Sequence, residues 1–313
     1  MAAPPAMPAF TERQLPVGAE IFLDHIAHFV PDSRMAIEAM TRAGFAPTPV
    51  SIQTNPGPNG TQVPAGTGNI TAMMARGYIE VLFKTSESPL TKEFDDNLAK
   101  YAGPHLIAFA VADAKATSER VATAGFRTAP LVSLRRPVGT ETGTAEAAFT
   151  VARVVPGEMR EGRIQYLTHH TEDAVWQKRW LNHGNGANAL IDAVVIVDDV
   201  DEAAARFTRF LSREAVPTNM GRGFFLDRGG VQLVNASSFT NLAPGIALAP
   251  LPFIGAYAVR VQSLTVTERV LRAGGARFAK QDKTLLAPFP RELGMGAWIF
   301  TENPGDLPWR KTS

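Results

Sequence analysis

Over the first half of the chain, short apolar runs rich in β-formers alternate with polar turns, and the arrangement recurs. Ile21-Phe22-Leu23-Asp24-His25-Ile26-Ala27-His28-Phe29-Val30 reads as one strand by alternation and β-propensity. Pro31-Asp32-Ser33 supplies a turn and a helix cap, and residues 34–43 have helical spacing closed by Gly44-Phe45. Strands are predicted over 45–53 and 69–75, separated by a Pro/Gly/Asn-rich loop over 55–68. Gly77-Tyr78-Ile79-Glu80-Val81-Leu82-Phe83 completes a β-α-β-β-β order with a short apolar strand carrying one carboxylate, Glu80. A lone ionised side chain in such a strand survives only when paired, hydrogen-bonded or bound to a cation.

The order repeats three more times. In the second unit a strand over 105–111 leads through Asp113 into a helix over 115–124, and Gly125-Phe126 echoes Gly44-Phe45. Strands follow near 129–134 and 147–154, and the unit ends on Gly162-Arg163-Ile164-Gln165-Tyr166-Leu167, with Gln165 where Glu80 stood. The third unit has a strand over 189–197, a helix over 201–211 and strands over 223–226 and 231–234. The fourth has a strand over 254–261, a helix over 265–273 stopped by Gly274-Gly275, and strands up to Trp298-Ile299-Phe300. A repeat of this length needs a neighbour to bury its sheet. The expected fold is therefore α+β, with four βαβββ modules in two domains. A tail over 1–19 precedes a domain over 20–170; a linker over 171–188, with Trp176, Trp180 and His183, leads to a domain over 189–302 and a tail over 303–313.

Composition narrows the function classes. A chain of 313 residues exceeds a single core, which agrees with two domains. A net charge of +1 with 19% charged residues gives no electrostatic case for nucleic acid or an anionic membrane. The absence of cysteine excludes disulfides, thiolate nucleophiles and cysteine-ligated zinc. Residues 1–10 are Ala/Pro-rich without a basic or apolar leader, and no stretch approaches the ~20 apolar residues of a membrane span. A cytoplasmic protein acting on a small molecule is the plain expectation, and a homodimer is compatible with it.

Leu23-Asp24-His25-Ile26, the Pro-Asp turn, the Gly-Phe helix stop and Gly77-Tyr78-Ile79-Glu80 together resemble the vicinal oxygen chelate (VOC) superfamily of glyoxalases, extradiol dioxygenases and bleomycin-resistance binders. Within it, Pro64-Ala65-Gly66-Thr67-Gly68-Asn69 and Gly162-Arg163-Ile164-Gln165 are similar to the glyoxalase-like domain group. The resemblance spans about residues 20–302 and is carried by the fourfold order more than by any single motif. It implies that paired units form a cup-shaped sheet with a divalent metal at its base, ligated from the first and last strands of each unit. Carried over by position, this implies His25 and Glu80 from unit one and Gln165 from unit two, with His105 offered by the first strand of unit two. Unit three holds Ala193 and Gln232 at those places, and unit four apolar residues near Phe253 and Ile299. The metal site is thereby assigned to the N-terminal half, and the C-terminal domain has lost it. Matching Ile26-Ala27 to Ile107-Ala108 pairs His25 with Leu106 rather than His105, and a one-residue offset reverses the face of a strand side chain. A bulge after Pro104 would restore His105; otherwise His169 is the substitute third ligand, followed by His170.

The expected metal ligands are thus His25, Glu80 and His105, with Gln165 and His169 added to the catalytic set. Asn69, Arg136 and Arg153 are candidate substrate contacts, since guanidinium pairs bidentately with carboxylate; Arg136 and Arg153, with Arg135, are equally readable as surface charge. Two histidines and a carboxylate leave open coordination positions, which favours Fe(II), with Mn, Zn or Ni as alternatives. Glutamine cannot accept a proton reversibly, so oxygen-dependent ring or C–C cleavage ranks ahead of glyoxalase-like lyase or isomerase chemistry. A metal-free binder of small molecules is the third reading. Blander roles stand beside these: His25 and Glu80 as a buried ion pair, Gln165 bonded within its sheet, His28 as a packed or surface residue, His183 in a turn, and Trp176 with Trp180 covering the core.

Overall fold

Four aspartate or serine caps mark the repeat in three dimensions. Asp32, Asp113, Asp199 and Ser263 each accept a hydrogen bond from a first-turn backbone N–H of the helix that follows. Each such cap contributes about 1 kcal/mol and fixes where strand ends and helix begins. The computed structural model describes residues 13–56, 61–88 and 91–311; the Ala/Pro-rich start expected as a tail lies outside the described residues.

The first sheet contains β1 (Ile21–Phe29), β2 (Ser51–Pro56), β3 (Gln62–Met73), β4 (Tyr78–Lys84), β5 (Gly103–Val111), β6 (Val132–Thr140), β7 (Gly143–Arg153) and β8 (Arg163–His169). Their order is β2-β3-β4-β1-β5-β8-β7-β6. The second contains β9 (Ala187–Ile196), β10 (Val216–Thr218), β11 (Gly221–Phe225), β12 (Gly230–Val234), β13 (Phe253–Val261), β14 (Ala279–Gln281), β15 (Thr284–Pro288) and β16 (Ala297–Thr301), in the matching order β10-β11-β12-β9-β13-β16-β15-β14. The helices are α1 (Ser33–Arg42), α2 (Lys92–Leu98), α3 (Ala114–Thr123), α4 (Glu172–Val175), α5 (Val200–Leu211), α6 (Ala236–Leu242) and α7 (Leu264–Ala273). This is the expected α+β architecture of four βαβββ modules, two to a sheet.

In each sheet the first strands of two modules pair antiparallel at the centre, and each pairs parallel with the last strand of its own module. The pairing Ile26↔Ile107 joins equivalent residues, as does Ala193↔Tyr257 in the second sheet. The backs of both sheets, with α1, α3, α5 and α7, share one apolar core that includes Ile26, Ile107, Ala193, Tyr257 and Phe207. Backbone bonds Leu23 N–H to Arg228 C=O (2.7 Å) and Leu190 N–H to Arg76 C=O (2.9 Å) tie the halves. His28 is buried at this junction, between the Leu293 carbonyl and the Tyr257 hydroxyl, each at 2.8 Å. It is a packed histidine.

Four segments differ from the pattern-based expectation. Residues 62–68 continue β3 instead of looping, because Thr67 and Gly68 pair with Lys84 and Phe83 of β4. The insertion after β4 forms α2, whose Phe94 stacks on Phe29 at 4.8 Å. The segment expected as a C-terminal tail forms two 3-10 turns over 304–310 that bury Leu307 and Trp309 in the second sheet's own concave cluster. Trp176 and Trp180 do not share one continuous helix, yet both pack on the Met73–Tyr78 cluster beside the first sheet.

Candidate functional site

The cup of the first sheet is only partly filled. Ala27, Phe29, Leu82, Leu106, Ala108, Phe149, Val151 and Leu167 pack on its concave face. Beyond them lies a cavity of about 250 Å³, lined on one side by His25, Asn69, Tyr78, Glu80, Arg136, Arg153 and Gln165.

Strand register decides which side chains reach it. One row across the sheet reads Tyr78, His25, Ala108, Gln165; the next reads Glu80, Ala27, Leu106, Arg163. The two-fold symmetry between modules therefore equates His25 with Leu106 and Glu80 with Gln165. His105 is one residue off and is not among the residues that line the cavity. Its Nε2 bonds the Tyr101 carbonyl at 2.7 Å, and its ring stacks on Tyr101 at 3.9 Å. The structure does not bring His105 to the cavity. At the irregularity between Ala27 and His28, opposite Leu106 and Pro104, its ring is held between Phe29 and Tyr101 instead. Burial holds its imidazole down at about 4.

A β-bulge builds what does converge. Leu23 pairs with Phe109 and His25 with Ala108, so Asp24 is the extra residue. Its carboxylate reaches the ring of the next residue: His25 Nδ1–H donates to Asp24 Oδ1 at 2.7 Å. That bond fixes the tautomer and leaves the Nε2 lone pair 3.6 Å from Glu80 Oε2, both on the cavity wall. Tyr78 stacks on the His25 ring at 4.5 Å and limits its rotation. The other oxygen of Asp24 bonds His169 Nε2 at 2.9 Å. His169 is thereby spent on Asp24, behind the site, wedged between Phe149 and Trp176. Burial alone would raise the Asp24 carboxyl, but the two imidazoles outweigh it and hold the group well below the usual carboxylate range. His170 lies outside, bonded to Thr150 Oγ1 at 2.8 Å.

The remaining polar groups form two short chains. Asn69 Nδ2–H donates to Glu80 Oε1 at 2.5 Å, and Arg136 Nη1–H donates to Asn69 Oδ1 at 3.1 Å and Ser51 Oγ at 2.6 Å. On the other side Arg153 Nε–H donates to Gln165 Oε1 at 2.9 Å. Burial, then repulsion from Arg163, brings Arg153 down to about 10. Arg163 itself is held in a fork by Glu93 of α2, with bonds of 3.1 and 2.8 Å. Arg135 turns outward to Glu146. His183 is a packing residue, between the Ala46 amide and the Met73 carbonyl.

As a cation site the wall offers His25 Nε2, the Glu80 carboxylate and the second lone pair of the Gln165 amide oxygen, whose first accepts from Arg153 Nε–H, with an alkyl group, Leu106, at the fourth symmetric position. Among the described residues no cluster of three His, Asp or Glu forms. The set nevertheless fits a divalent ion with a partly open shell: one oriented imidazole, one carboxylate and one amide, all from the first and last strands of the paired modules. Asp24 and Tyr78 were not singled out by the pattern, because neighbours in a regular strand face opposite ways. The Asp24-His25 adjacency was the available signal. Phe94 and Leu98, one helical turn apart, were the available signal for α2.

In the second sheet the third-module position matching His25 is Asp192, one residue before Ala193, because Ala193 pairs with Tyr257 as Ile26 pairs with Ile107. The fourth-module position is Ala256, not the neighbourhood of Phe253. Gln232 and Ile299 stand at the last-strand positions.

A family profile described as a glyoxalase-like domain matches residues 23–211, more than half of the chain. No functionally curated protein matches it. Among solved structures, a hypothetical protein from Staphylococcus aureus superposes with a TM-score of 0.61 at 9% identity, covering 90% of this chain and 98% of that one. An Mn(II)-bound glyoxalase from Novosphingobium aromaticivorans gives 0.52 at 13% identity, covering 91% and 82%. A mutant 4-hydroxymandelate synthase from Streptomyces coelicolor gives 0.50 at 12% identity, covering 90% and 92%. At these identities the likeness is one of fold. Among the described residues no helix is long and apolar enough to cross a membrane.

Proposed function

The chain belongs to the glyoxalase-like domain family, and from that premise we propose that its N-terminal cup is the active site of a metal-dependent lyase or isomerase. Its substrate would be a small molecule with adjacent oxygen atoms. The observation that carries the reading is the oriented His25 Nε2 beside Glu80 Oε2, 3.6 Å apart on the wall of a cavity. His25, Glu80 and Gln165 would hold the ion, and Mn(II), borne by the Novosphingobium glyoxalase, is the first metal to try. Such an ion, when bound, acts as a Lewis acid on a carbonyl or hydroxyl oxygen of the substrate.

The chain's own groups supply the rest. Asp24 keeps His25 in the tautomer that presents a lone pair. Asn69 holds one oxygen of Glu80 and fixes the carboxylate's rotation, so Oε2 is the oxygen that would meet the ion and, when free of it, take a proton from carbon and return it. Tyr78, Phe94 and Phe149 wall the cavity and keep bulk water from the proton in transit. Oxygen-dependent cleavage, the first reading from sequence, ranks second. Its support was a set of two histidines and one carboxylate, and His105 is bonded to the Tyr101 carbonyl outside the cavity lining.

The test is metal analysis joined to a proton-exchange assay. Protein dialysed against Mn, Fe, Zn or Ni and then freed of loose ion should retain metal by ICP-MS, and Glu80→Ala should not. In D2O, the loaded protein should wash deuterium into an α-hydroxyketone such as dihydroxyacetone, with or without O2, and Glu80→Gln should stop it. Wild-type protein that retains no metal, or turnover seen only with O2, overturns the reading.

A further inference from the structure

The charges around the cavity do not balance. Of the two carboxylates on its wall, Glu93 is taken by the Arg163 fork, and Glu80 lies between Asn69 and His25. Arg135 is paired with Glu146 outside. Arg136 and Arg153 remain, and among the described residues neither meets a carboxylate. Arg136 bonds only the neutral Ser51 and Asn69. Arg153 uses its Nε on Gln165, and among the described residues nothing accepts from its Nη atoms. A half-buried guanidinium that lines a partly enclosed cavity gives up part of its hydration, and its two free terminal nitrogens are placed to recover that loss from an anion. Its open edge presents two parallel N–H donors, the geometry that a carboxylate meets bidentately.

Apolar side chains adjoin these groups along the same strands and on α2: Leu82, Phe94, Leu134, Phe149, Val151 and Leu167, with Gln53, Thr54 and Thr67 elsewhere in the lining. A purely polar dianion would leave that surface wet, and a neutral apolar molecule would leave Arg153 unpaired. We infer that the cavity takes an amphipathic monocarboxylate, whose carboxylate sits on the free edge of Arg153 and whose aryl or alkyl body lies against these apolar side chains. This deepens the proposed function by naming the substrate class, and it rests on that reading only for the chemistry that follows binding. Gln165 has a positioning role, because its amide oxygen holds Arg153 Nε and turns the terminal nitrogens to the cavity.

The test is calorimetric titration of the full chain, once with Mn(II) and once after exhaustive chelation. The probes are phenylacetate, its uncharged isostere phenylacetamide, acetate and phenyl phosphate. In the chelated protein phenylacetate should bind at least about tenfold tighter than each of the other three, about 1.4 kcal/mol. Arg153→Gln should erase the preference over the amide, Arg153→Lys should keep part of it, and Arg135→Gln should leave it intact. Equal affinity for acid and amide overturns the inference, as does a preference that survives in folded Arg153→Gln and Arg153→Met, or tighter binding of the phosphate. Metal retention without carboxylate preference sinks this inference alone. Carboxylate preference with no metal retained sinks the metal reading and leaves this inference standing.

Discussion

The two cups share strand order, register and helix caps, and they treat the same four positions in opposite ways. In the first, His25, Glu80, Leu106 and Gln165 face a cavity of about 250 Å³. In the second the matching residues are Asp192, Gln232, Ala256 and Ile299, and the space before them is filled by the chain itself. Trp309 Nε1–H donates to Asp192 Oδ2 at 2.7 Å, and Arg310 grips both oxygens at 2.7 and 2.6 Å. Phe239 of α6 and Leu307 complete the plug. A buried carboxylate thus survives in each half by a different route: Asp192 is neutralised by a guanidinium of the same chain, while Glu80 faces a histidine and open space. The lesson is that this fold supplies a concave face with inward positions, and the segment after the last strand decides whether that face becomes a site or a core.

The largest effect should follow from removing the donor that only the first cup has. His25→Ala takes away the oriented imidazole, and turnover is expected to fall at least about a hundredfold with little change in melting temperature. A fall in melting temperature with turnover intact would make His25 a packing residue. In the second cup the reverse holds. Arg310→Ala strands Asp192 with its charge buried, and should cost roughly 3–5 kcal/mol in urea unfolding while leaving activity per folded molecule unchanged. If the loss is below about 1 kcal/mol, the plug is not what holds that cup closed.

Acid should loosen the junction at His28 and the start of β5 at His105. Burial lowers His28 and His105 to about 4.

 For His28 the cause is burial at the junction, only partly offset by its bond to the Leu293 carbonyl. Both stay neutral in the folded chain at a pH where an unfolded histidine is half protonated. Their contribution is therefore whole above about pH 6.5 and is lost as pH falls from there towards 4, on the order of 3 kcal/mol for each. Urea midpoints measured across that window should drop on acidification, and His105→Phe should flatten the slope. A slope that His105→Phe leaves unchanged would mean that His105 is already charged when folded.

Smaller still is the loss of the group behind the imidazole. Asp24→Asn keeps the shape of the bulge but weakens the bond that sets the His25 tautomer, and metal affinity should fall roughly 10- to 100-fold. Affinity measured by competition with a chelator checks this, and an unchanged value would show that the bulge aims His25 without help from the carboxylate. Smallest is Arg135→Gln. Its pair with Glu146 is exposed on both sides, so stability should move by less than about 1 kcal/mol.

The amino-acid pattern alone determined the fourfold β-α-β-β-β order, because apolar spacing, caps and glycine stops are local properties that survive in every module. It also picked out His25 and Glu80, since a histidine and a carboxylate inside apolar strands demand partners wherever the strands go. Tertiary structure decided the rest. A one-residue slip reverses a strand side chain, so only the observed pairing could give Leu106 the inward position and turn His105 to Tyr101. Only the bulge could put Asp24 beside its own neighbour His25, and then within reach of His169 from a distant strand. Whether a cup stays open was decided last, by Trp309 and Arg310 folding back across more than a hundred residues onto Asp192. No local pattern encodes that closure, because its partners are chosen by packing and not by spacing.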